Sequence, residues 1–289
     1  MKKTLSVLLI AAMLLLLLPA AFAEGGDSRA VIGADLTDEQ IAEVYKLFGV
    51  DRGSVIELRV TNAEEREYLE GYVDDAQLGH YSISCVYVRL LEAGSGLSVS
   101  THNITWCTEE MYIGALVTAG ITDAEIIVAS PFEVSGTAAL TGMFKAYEDI
   151  TGEKLDDSAK DAGTRELTVT GELAGEIGDD DAAGIVTELK GELGSTAGMS
   201  DSELREEIIS VSGKFGVTLS ENQIKQLMDL CRSFEKLDPD SLMQRVEDVK
   251  NTLHKISEAK DKAVGFFDKM SRFFTAVSEF FAKLKSIFS

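Results

Sequence analysis

The sequence predicts an α+β protein: an N-terminal unit with the split β-α-β order of ferredoxin-like domains, then an all-helical half that ends in a long amphipathic helix. Three observations carry this. Short β-branched runs alternate with capped helical stretches as far as residue 153. From Lys154 onward the chain consists of charged helical segments separated by glycines. After Pro239, apolar residues recur at alternating spacings of four and three to the C-terminus. The expected division is an export signal over residues 1–23, an α+β domain over 24–153, a helical domain over 154–238 and a heptad helix over 239–289.

The first residues read as a signal peptide. Lys2 and Lys3 precede an apolar run from Leu5 to Leu18, Pro19 breaks it, and Ala21-Phe22-Ala23 supplies the small residues of a cleavage site. Cleavage between Ala23 and Glu24 is expected. An uncleaved anchor is the rival, but the run falls short of the about 20 residues that a span needs. The expected location is secreted or extracytoplasmic, or peripheral on the outer face of the cytoplasmic membrane.

In the α+β part, Thr37 and Gln40 form a capping box ahead of a helix whose apolar face is Ile41, Val44, Leu47 and Phe48, stopped by Gly49. Val55–Thr61 alternates as a strand, and Asn62-Ala63-Glu64-Glu65 opens a helix that runs to about Tyr72. Tyr81–Leu91 and Leu97–Trp106 read as a hairpin across Glu92–Gly96. Thr108 caps the next helix, Gly120 closes it, and Ala124–Ala129 is the last strand. Beyond Lys154 the one strand candidate is Glu166–Thr170, a run that also suits a helix interior. Gly216–Ile224 repeats the pattern of Gly33–Ile41, which either a duplicated helix or the same capping rule applied twice explains.

Charge is unevenly placed along the 289 residues. Glu24–Val249 holds 17 basic and 45 acidic residues, whereas Lys250–Ser289 holds 8 basic and 4 acidic. The acidic body repels nucleic acid and anionic lipid, and the basic tail does not. Of three cysteines, Cys85 and Cys107 are either a disulfide, leaving Cys231 odd, or all three are buried free thiols.

The tail is the strongest periodic signal. Leu242, Val246, Val249, Leu253 and Ile256 begin a seam that continues, with Lys260 its one polar member, through Phe267, Met270, Phe274, Val277, Phe281, Leu284 and Phe288. Phe266, Phe273 and Phe280 widen the stripe, which is too bulky for a narrow two-stranded coil. The expected interaction face is therefore Phe266, Phe267, Met270, Phe273, Phe274, Val277, Phe280, Phe281, Leu284 and Phe288. It meets the protein's own helices, a second copy, or a membrane surface, for which Lys269, Arg272, Lys283 and Lys285 supply a basic flank.

Chemistry-bearing patterns are sparse. Ile126–Gly142 reads as strand, loop and helix, and Ser135, Gly136 and Thr137 stand where the helix begins, so free N–H groups and two hydroxyls there suit a phosphate or carboxylate. Close packing of small residues explains the same stretch. It is neither a P-loop nor a G-x-S-x-G elbow. His80, His102 and His254 have no metal spacing, and His102 with Cys107 and Cys85 makes only a remote Cys–His candidate. Two S-x-x-K matches, at Ser233 and Ser257, lie in helical segments without partner motifs. Asp179-Asp180-Asp181 lacks the rest of a calcium loop and reads as a helix start. No cofactor or metal is expected.

Six strings together, Gly33–Thr37, Thr61–Glu65, Tyr68–Gly71, Asn103–Trp106, Ala115–Gly120 and Ser135–Gly142, resemble the YpuA-like secreted proteins of Firmicutes, which carry the domain of unknown function 1002. The resemblance runs from about Ala30 into the helical half. It implies an exported protein of one or two domains and supplies no catalytic residue. The expectation is thus a non-enzymatic, envelope-associated protein whose aromatic C-terminal helix self-associates or attaches to a membrane surface. The alternatives are an extracytoplasmic enzyme, such as a wall-directed hydrolase, or an anionic-ligand binder, with a site near Ser130–Thr141.

Overall fold

A computed structural model describes residues 27–73 and 75–247. The export signal, its cleavage site and the seam beyond Glu247, including every phenylalanine from Phe266 onward, lie outside the described residues.

The chain opens with a strand that the sequence reading missed, β1 (Ser28–Gly33), all six residues of which are buried. Helix α1 (Asp38–Phe48) follows, with the expected capping box: Thr37 N–H donates to Gln40 Oε1 at 2.9 Å and Gln40 N–H to Thr37 Oγ1 at 3.4 Å. Strand β2 (Ile56–Val60), helix α2 (Asn62–Leu69) and the single turn α3 (Asp75–Leu78) lead into β3 (Cys85–Leu90). Then come β4 (Leu97–Ile104), α4 (Glu109–Ala119), β5 (Ala124–Val134) and α5 (Thr137–Thr151).

These strands form one sheet in the order β2-β1-β3-β5-β4. That is not the ferredoxin-like order, because the expected hairpin does not form: β5 lies between β3 and β4, antiparallel to the first and parallel to the second. The glycine-rich stretch after β3 instead crosses the end of β5, where Leu91 N–H donates to Asp123 O and Gly96 N–H to the Asp123 carboxylate. Strands β1 and β2 pair in parallel across α1, as β4 and β5 do across α4. Two β-α-β units thus flank an antiparallel central β3.

Residue alternation on the central strands divides the core. Ala30, Ile32, Cys85, Tyr87 and Ala129 face α1 with Ile41, Val44, Tyr45 and Phe48. Val31, Val86, Val88, Ile126 and Val128 belong to a second cluster that holds α4, α5 and the helical half together. Cys85 and Cys107 fall in different clusters, and all three cysteines are buried free thiols.

The rest is helical: α6 (Asp157–Ile177), α7 (Asp179–Gly191), the short α8 (Leu193–Thr196), α9 (Asp201–Lys214) and α10 (Glu221–Phe234). Residues 239–247 are also helical and are designated α11. The strand candidate Glu166–Thr170 is the buried interior of α6, and Asp179–Asp181 is the first turn of α7. Helix α6 lies close against α4, since a Cβ on Gly163 would stand 2.5 Å from the Ala115 carbonyl oxygen. In α11, Leu242 and Val246 are buried in the same core. Among the described residues no helix is long and apolar enough to cross a membrane.

A buried ion pair ties the helices together. Lys190 Nζ on α7 lies 2.6 Å from Glu166 Oε1 on α6 and also donates to Thr118 Oγ1 and the Gly114 carbonyl on α4. Thr118 Oγ1 donates in turn to Glu166 Oε2, and the ammonium sits 5.9 Å from the centre of the Phe234 ring of α10. Removing one partner strands a charge in a buried site, whereas removing both leaves mainly a packing defect. Lys190→Met is therefore expected to lose about 3–5 kcal/mol in urea unfolding. Lys190→Met with Glu166→Leu should recover much of that loss, and equal losses for the single and double variants would contradict the pair's role.

Candidate functional site

Ser135, Gly136 and Thr137 do come together at the start of α5, at the end of β5. Gly136 is the N-cap, with φ 103° and no side chain to cap the helix. Two constraints make it glycine: the left-handed backbone, and the Tyr112 hydroxyl, which would stand 2.5 Å from an added Cβ. That hydroxyl donates to the Gly136 carbonyl at 2.7 Å, anchoring the loop to α4.

The two side chains turn toward a fourth group. Ser135 Oγ donates to the Gln77 carbonyl at 2.7 Å and lies 3.3 Å from Thr137 Oγ1. Thr137 Oγ1 donates to Glu65 Oε1 at 2.5 Å, and Asn62 Nδ2 reaches Glu65 Oε2 at 3.3 Å. Glu65 is 1% exposed. It lines a cleft of about 370 Å³ with Gln77, His80, Tyr81, Ser135 and Thr137. Burial pushes its carboxyl up to about 7, although the hydrogen bonds from Thr137 and Asn62 pull the other way.

The chemistry of this cleft differs from the expected anion cradle. The helix start, with its unsatisfied N–H groups, is faced by one of the chain's own carboxyls, and the Ala139 N–H is already taken by Ser84 Oγ at 3.1 Å. A carboxyl poised near neutral pH exchanges its proton under ordinary conditions. The sequence reading missed Glu65 because it sits in a charged run beside Glu64, whose carboxylate caps α2. The one local signal that sets it apart from Glu64 is its spacing of four to the inward-facing Leu69.

The remaining candidates are scattered. His102 is exposed on β4, whereas Cys107 is fully buried with its thiol pushed up to about 12, so the two make no nucleophilic pair. His80 is exposed beside the cleft, and His254 lies outside the described residues. Ser233 spends its hydroxyl on the Leu230 carbonyl within its own helix, at 2.6 Å. Among the described residues no three His, Cys, Asp or Glu side chains are grouped to hold a metal.

Glu65 has a signature in stability. The folded chain keeps a proton that the unfolded chain releases, so stability falls as pH rises from about 4.5 to about 7 and levels off above. Glu65→Gln removes that dependence. Relative to the parent, the variant is expected to gain up to about 3 kcal/mol across the window, read by urea unfolding at several pH values. A difference that stays constant from pH 4.5 to pH 8 would contradict the buried acid.

Comparison with known proteins places the chain. The family model described as a protein of unknown function (DUF1002) matches residues 32–280. The chain is 36% identical over 277 residues to the uncharacterized protein YpuA of Bacillus subtilis (strain 168), covering 93% of this chain and 94% of that one. No solved structure matches. Three of the strings that carry the resemblance, through Glu65, Thr105 and Ser135–Ala138, meet at the cleft. The chain is a member of the DUF1002 family.

Proposed function

We propose that this chain is an exported, non-enzymatic envelope protein: an acidic globular body that carries an aromatic, basic C-terminal segment for attachment. The observation that supports this most is the burial of Leu242 and Val246, the first two positions of the seam, in the body's core. That seating fixes the register from which the seam continues in the sequence. In the sequence the seam runs on through Phe266 to Phe288, and an apolar stripe of that size is unfavourable in water.

Charge supports the same arrangement. A body with 45 acidic and 17 basic residues is repelled by an anionic surface, so contact falls to the segment from Lys250 onward, with its 8 basic and 4 acidic residues. The catalytic alternative is weakened by burial of the three thiols, each pushed up to about 12. The start of α5 supports the ligand-binding alternative only in one protonation state, because an anion held by Ser135 and Thr137 is repelled once Glu65 ionises. Stabilisation of the body by inorganic phosphate at pH 6 that disappears at pH 8 would favour that reading.

Molar mass by light scattering, with and without anionic liposomes, tests the proposal on the mature chain and on a version ending at Ala263. The mature chain is expected to oligomerise or to move onto the liposomes, and the truncated one to do neither. Equal behaviour of the two would contradict the proposal.

A further inference from the structure

Between α4 and α7 runs a trough of about 380 Å³. Its walls are helical stripes at spacings of three and four: Glu110, Ile113, Gly114 and Val117 from one helix, and Asp180, Ala183, Gly184 and Thr187 from the other. Apart from Lys190, whose ammonium is paired with Glu166, the other wall residues are apolar or small, and Glu110, Asp180 and Glu188 make the trough acidic. Seven residue steps along each helix make it about 10 Å long, or two turns.

The last described turn of the chain enters this trough. Val246 lines it, and Arg245 Nη1 lies 3.4 Å from the Thr118 carbonyl at the C-terminal end of α4. From there the sequence runs Glu247-Asp248-Val249-Lys250-Asn251-Thr252-Leu253-His254-Lys255-Ile256. Val249, Leu253 and Ile256 continue the face that holds Leu242 and Val246, and Lys250 and Lys255 suit the acidic rim.

We propose that the trough between α4 and α7 is the seat of the chain's own continuation, residues 248–256. Val249, Leu253 and Ile256 supply the apolar side chains that the walls of Val117, Ile113 and Ala183 call for, and Lys250 and Lys255 the charges that suit the acidic rim. The C-terminal segment then has two parts: a collar that packs on the body up to about Ile256, and a distal part beyond Lys260 that carries the phenylalanines. This is independent of what the distal part binds.

Amide hydrogen exchange of the mature chain, followed by mass spectrometry at several protein concentrations without lipid, is the test. Residues 249–256 are expected to exchange at least tenfold more slowly than an unstructured peptide, independently of dilution. Leu253→Asp, which alters no described residue, should abolish that protection, as should Ala183→Glu on the trough wall, while α4 and α6 stay protected. In the version ending at Ala263 the protection should persist, so failure of attachment and failure of docking are read separately. Exchange at the unprotected rate would overturn the proposal, as would protection that fades on dilution, the mark of a second copy. Protection that survives Leu253→Asp would overturn it too.

Discussion

Lys190, 2% exposed at its side chain, bonds α4 and α6 at once through one ammonium and sets it beside the Phe234 ring of α10. An ion pair so buried stabilises little by itself, because desolvating two charges offsets most of their attraction. Its effect is to make the arrangement selective: any displacement of α6 or α7 along α4 strands a charge. Gly163 adds a steric condition, since only a residue without Cβ lets α6 lie against the Ala115 carbonyl. Helix α4 is accordingly shared, with the sheet on one side and α6 and α7 on the other. The core that starts at Val31 in the first strand continues to Val246 without a break.

That sharing bears on the cleft and on the trough. Tyr112 of α4 holds the Gly136 carbonyl, and Glu65 of α2 holds Thr137, so the start of α5 is fixed from two sides. The trough uses the face of α4 that presents Ile113 and Val117. One helix therefore positions both the cleft and the trough that Val246 lines. The anion-cradle idea and the helix-start geometry agree on place and differ on charge, because the protein puts its own carboxyl there.

Much of the fold is legible in the sequence, since capping boxes and glycine stops are local. Thr37 with Gln40, and Thr108 with Gly120, mark helices whose bounds the structure reproduces. Strand pairing is not local. The turn-like Glu92–Gly96 suggests a hairpin, but the pairing is decided by the crossover through α4, which sets β5 beside both neighbours. Strand β1 was hidden because Ser28–Gly33 is buried on both faces and so shows no alternation. Of the site, Ser135–Thr137 could be read from the chain; Glu65 lies on the face of Leu69, but its pairing with Thr137, 72 residues away, is set only by tertiary packing. The buried pair was equally invisible: Lys190 and Glu166 lie 24 residues apart in charged helical runs.

The boundary near residue 153, where composition changes, is thus crossed by a single core. Native-state hydrogen exchange of the chain in increasing urea measures whether the two sides behave as one body. Amides of β3, α4 and α6 are expected to converge on one global unfolding with a common denaturant dependence. If α6 to α10 instead open at lower urea with a smaller dependence, while β3 and α4 stay protected, the two halves are separate domains and the linkage through Lys190 does not hold them together.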